Sequence, residues 1–89
     1  MPENRGLYRK YSVKRRDGRD KKKGDRRRGA VYFVLDVVND PFAVAALTNY
    51  RLECEGNCPL LANELFALEQ ELRAGRHDGP MLQKLRGGD

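Results

Sequence analysis

The sequence predicts an α+β fold: a two-stranded antiparallel hairpin with a long basic loop, followed by two antiparallel helices, in the order β-β-α-α. Three observations predict it. Residues 7–15 (LYRKYSVKR) alternate, with Leu7, Tyr11 and Val13 on one side. Residues 30–38 (AVYFVLDVV) are a near-continuous run of β-branched and aromatic residues, too short for a helix. Residues 41–74 hold two stretches of helical periodicity, broken at Glu55-Gly56-Asn57.

Taken in order, the first strand spans residues 7–15, with Arg9 and Arg15 sharing its apolar side and Tyr8, Lys10, Ser12 and Lys14 on the other. The loop, residues 14–29, contains no apolar residue and has glycines at 18, 24 and 29, which suits an exposed connection. The second strand presents Val31, Phe33, Leu35 and Val37 to one side and Tyr32, Val34 and Val38 to the other. One of these faces can take the helices; the other needs a cover. A homodimer joined through sheet edges or the spare face would supply it, and shielding by tyrosines and long Lys/Arg stems is the alternative.

Asp40-Pro41 is a favourable helix start, since the aspartate can accept from orphan amides and proline at the first position loses no bond. That helix is expected over about 41–53, with Ala43, Leu47, Tyr50 and Cys54 near one stripe and Ala46 beside them. Pro59 opens the second helix, which reaches about Ala74 and is closed by Gly75. Leu61, Leu65, Leu68 and Leu72 recur on one face, leaving Glu64, Glu69, Glu71 and Arg73 to the wet side. Residues 75–89 read as a flexible tail with one short helical turn, leaving Met81, Leu82 and Leu85 available for docking. With 89 residues, the whole is expected to be one small domain with a modest core.

Charge divides the chain. The net charge is +5, but the first 29 residues carry +9 and the remainder −4. Residues 14–29, KRRDGRDKKKGDRRRG, set ten lysines and arginines against three aspartates. Such a cationic pole attracts polyanions by steering and counterion release. The residues expected to contact phosphate are Arg15, Arg16, Arg19, Lys21, Lys22, Lys23, Arg26, Arg27 and Arg28, with Tyr11 and Tyr32 as stacking surfaces and Tyr8 nearby. The loop itself has no aromatic residue, so base-specific readout is not expected. The competing readings are a solvated connection and an acidic protein surface as the partner.

Catalysis finds little support. No phosphate-binding GxxxxGK[ST], HExxH or paired CxxC motif is present, and no enzyme activity is expected. Cys54 and Cys58 in CEGNC supply two of the four ligands of a zinc site, and only His77 and nearby carboxylates could complete it. No metal or cofactor is therefore expected. A disulfide across this turn is open geometrically but disfavoured in a reducing compartment. Asp36, Asn39 and Asp40 cluster after the second strand; Asp40 is expected to cap the helix and Asp36 to balance neighbouring arginines. No run of about 18–20 apolar residues is present, nor an apolar secretory segment at the N-terminus, so a cytoplasmic protein is expected.

Lys10-Tyr11-Ser12-Val13-Lys14-Arg15, YFVLD at 32–36, the DPxAxxAL pattern at 40–47, Tyr50 and Pro59-Leu60-Leu61-Ala62 together resemble a group of small uncharacterised proteins encoded by bacteriophages, prophages and their bacterial hosts. The resemblance covers more than half of the chain; the connection between its first two motifs is unusually rich in arginine and lysine here. It implies a phage-type accessory protein in the host cytoplasm that acts by binding, to nucleic acid, to a nucleotide or to a host protein complex. The alternative to a nucleic-acid binder is accordingly an interaction module that inhibits a host defence complex through its helical face.

Overall fold

The computed structural model describes Leu7 and residues 10–87; Tyr8 and Arg9 of the first expected strand lie outside the described residues. Two compact units divide the chain, Pro2–Leu35 and Asp36–Asp89.

The described residues contain three helices, α1 (Ala43–Cys54), α2 (Pro59–Arg73) and α3 (Pro80–Leu85), and no strand. The α+β expectation is thus overturned: no hairpin forms, and with it goes the sheet that a dimer would have extended. The physical reason lies in the first segment. Arginines and lysines stand on both of its sides, and Tyr11 and Val13 remain exposed, so it offers no apolar face to bury. A two-stranded ribbon is marginal even with such a face, and here it would also have to close a long, self-repelling loop. Residues 30–38 therefore keep their β-forming side chains without a partner strand. Exposure alternates only over residues 31–34, with Val31 at 97 % and Phe33 at 78 % against Tyr32 at 39 % and Val34 at 41 %, the period of an extended chain.

The second unit is helical. It begins with a turn built by Asp36, whose Oδ1 accepts from the Val38 and Asn39 amides and whose Oδ2 accepts from Asn39 Nδ2 at 2.9 Å. Those bonds, the Asn39 side chain first, hold the Asp36 carboxyl below its usual range; no arginine shares it among the described residues. Asp40 Oδ1 accepts the Phe42 amide at 2.9 Å, so it closes a turn over Pro41 and α1 starts two residues later than the Asp-Pro signal suggests.

α2 is opened by Pro59 and ends in a Schellman arrangement, with the Gly75 amide donating to Leu72 O and the Arg76 amide to Glu71 O. The core is small: Ala43 from α1, Ala62 and Leu68 from α2, and Leu82 from α3. Tyr50 and Ala46, expected on the inner stripe of α1, are exposed.

Two glutamates expected in water are buried instead. Glu69 is 1 % exposed. Its Oε1 accepts from Thr48 Oγ1 at 2.7 Å and its Oε2 from Arg51 Nε at 2.7 Å, so one carboxylate ties α1 to α2. Arg51 in turn lies over the Phe66 ring, 5.1 Å from its centre. Glu71 accepts the Met81 amide at 2.9 Å and the Leu82 amide at 3.1 Å, the two orphan donors that remain at the start of α3 once Pro80 has removed a third. A Cβ at Gly79 would stand 2.2 Å from the Glu71 carboxylate, so glycine is what lets this carboxylate approach. Far from fraying, residues 80–85 dock: Leu82 is buried, and Met81 and Leu85 line a cleft of about 100 Å³ with Leu61, Leu65 and Leu68. Lys84 Nζ meets Glu64 Oε2 at 2.6 Å on its rim.

No helix among the described residues is long and apolar enough to cross a membrane.

Candidate nucleic-acid interface

The basic segment belongs to the first unit and is a chain of tight turns. Backbone bonds run from Gly18 N to Arg15 O, Lys21 N to Gly18 O, Lys22 N to Arg19 O, Asp25 N to Lys22 O, Arg28 N to Asp25 O and Ala30 N to Arg27 O, all between 3.0 and 3.3 Å. Each closes a four-residue turn. Gly24 and Gly29 occupy the third positions of the turns Lys22–Asp25 and Arg27–Ala30 with φ of 86° and 77°, a left-handed backbone that other residues adopt at a cost. Here the glycines set the direction of the chain.

The aspartates fasten these turns from the side. Asp17 Oδ1 accepts the Arg19 amide at 3.1 Å, Asp25 Oδ1 accepts the Arg27 amide at 2.8 Å, and Asp20 Oδ2 accepts the Arg15 amide at 3.3 Å. Asp20 Oδ1 is shielded from solvent without a hydrogen-bond partner.

The same aspartates sort the cations into two groups. Arg15 grips Asp17 through two parallel bonds, Nε to Oδ1 at 2.9 Å and Nη2 to Oδ2 at 2.7 Å. Arg19 Nε stands 4.0 Å from Asp17 Oδ2, and Arg27 Nη1 is 3.6 Å from Asp25 Oδ1. The Arg15 pair holds the Asp17 carboxyl well below the usual range, with the Arg19 amide adding to the effect. Arg15 itself is pushed above its ordinary value, by the hydrogen bond to Asp17 first and also by the Tyr32 hydroxyl.

Arg16, Lys21, Lys22, Lys23, Arg26 and Arg28 form the second group. They are exposed and have no ion pair with a carboxylate of the chain among the described residues. Of the nine expected phosphate contacts, the structure thus commits Arg15 and Arg27 to the turns, leaves Arg19 exposed at 4.0 Å from Asp17, and leaves the other six facing solvent. Tyr11 is 48 % exposed, and Phe33, which sequence reasoning placed on a strand face, offers a more open ring than either tyrosine. Its position two residues after Val31 in an alternating run is the signal that could have marked it.

Elsewhere the chemistry is sparse. Cys54 and Cys58 are free thiols, His77 is exposed, and no three His, Cys, Asp or Glu side chains converge as metal ligands among the described residues. No protein-family model, curated protein or solved structure matches this chain.

Proposed function

We propose that this is a small, non-enzymatic binding protein that engages nucleic acid, or another ligand carrying several phosphates, through the turn array of residues 14–29. One observation carries the reading: six of the nine expected cations of the array are exposed and without an ion pair among the described residues, while local aspartates hold the backbone beneath them. Ordering the backbone in advance lowers the entropy cost of gathering like charges around an anion. The phage-type context that the sequence resemblance implies, with action in the host cytoplasm, fits such a role.

Binding to a mixed-sequence oligonucleotide should weaken steeply with salt. If each of the six unpaired cations meets one phosphate, log K should fall against log salt with a slope of about −4 for a single strand and about −5 for a duplex. Fluorescence anisotropy between about 50 and 200 mM salt reads this slope. Absence of binding to DNA, RNA and nucleotides at the lowest salt would refute the proposal.

A second reading, an interaction module that blocks a host complex through the helical unit, draws support from Tyr50, Leu52, Leu60 and Phe66, which are exposed on α1 and α2. It predicts that shortening residues 17–28 to a tight turn leaves activity intact. A homodimer remains compatible with the open Val31 and Phe33, which a second copy would cover.

A further inference from the structure

We infer that the ligand of the turn array is single-stranded nucleic acid, held by cations on its phosphates and by exposed aromatic rings on its bases. The inference rests on the phosphate-binding reading above and narrows it. Duplex recognition through the major groove inserts a helix or a two-stranded ribbon, and the described residues of the basic unit contain neither. What they contain is an irregular path of turns, flanked in sequence by open π faces: Tyr11 before it, Tyr32 and Phe33 after it. An aromatic face has no use against a stacked duplex, whose base faces are covered. Against a single strand it stacks on any base, and the combination of a cationic track with such rings is how sequence-tolerant single-strand binding is built.

Composition supports tolerance over readout. Residues 14–29 contain no Asn or Gln to read adenine edges, and their arginines and lysines stand on turns, with no helix or strand among the described residues to hold them in register with guanine edges. Phe33 is the most informative ring, since it is 78 % exposed and no buried contact of the fold requires it.

The test compares oligo(dT), oligo(U) and a mixed-sequence duplex, each of about 20 nucleotides or base pairs, at low salt with the full chain. Both single strands should bind about tenfold tighter than the duplex per phosphate. Phe33→Ala should weaken oligo(dT) binding about fivefold or more, leave the duplex unaffected and preserve the salt slope, while Phe33→Tyr keeps the affinity. Comparison of oligo(dT) with oligo(U) separates DNA from RNA. Equal or tighter duplex binding, or an unchanged affinity in Phe33→Ala, would overturn the single-strand inference while leaving phosphate binding standing. No binding to any of the three would remove both.

Discussion

Replacing Arg16, Lys21, Lys22, Lys23, Arg26 and Arg28 together with glutamine is expected to reduce oligonucleotide affinity at least about thousandfold at low salt and to lower the slope of the salt dependence by about 4. Among the described residues these six carry no ion pair, so their removal takes away phosphate contacts without unfastening a turn. The opposite change makes the argument specific. Asp17→Asn with Asp25→Asn keeps the side-chain oxygens that accept the Arg19 and Arg27 amides, yet releases the guanidinium groups of Arg15, Arg19 and Arg27. Affinity should then rise and the slope steepen by about two. A mere solvated connection would respond to neither substitution in this pattern, and weaker binding by the asparagine variant would contradict the division of labour assigned to the array.

Glu69→Ala is expected to destabilise the helical unit by about 2–4 kcal/mol, measured by chemical denaturation. The change leaves Thr48 and Arg51 facing a vacated site between α1 and α2. In a unit whose buried apolar side chains are Ala43, Ala62, Leu68 and Leu82, that loss is a large share of the total. The same carboxylate sets an acid limit. Burial pushes Glu69 up, but the hydrogen bonds from Arg51 and Thr48 and the charges of Arg51 and Arg73 outweigh it, and the group lies below its ordinary value of 4.5. A depressed carboxylate contributes fully above its unfolded-state value and loses that contribution as pH falls through the folded-state one. Stability should therefore drop below about pH 4.5, and Glu69→Gln should flatten that limb, leaving the part due to Asp36.

Much of the helical unit was legible in the sequence, because proline, glycine and the leucine spacing are local signals. Pro59 is the first residue of α2, and the expected end at Ala74, before Gly75, is one residue past its last. The burial of Glu69 and Glu71 was not legible, because their partners come from elsewhere: Thr48 and Arg51 from α1, and two backbone amides from α3. A hint existed in Gly79-Pro80, whose cap position is a glycine with no side chain to accept the first amides. The strands failed for a physical reason that composition already contained. Residues 30–38 have every side-chain preference for a sheet, but a strand is a relation between two segments, and residues 10–15 offer it only charge and two partly exposed apolar side chains. Within the basic segment, the density of charge was plain, whereas its sorting was not. Asp17-Gly18 and Gly24-Asp25 are turn signals, and reading them as such would have assigned Arg15 and Arg27 to structure rather than to a ligand.

The most direct test of the claim that the cationic turns are the binding surface is a backbone amide NMR titration of the full chain with oligo(dT) at low salt. The account predicts shift changes concentrated in residues 14–35, with those of α1, α2 and α3 unmoved. Changes centred on the exposed faces of α1 and α2, with the turns silent, would contradict it.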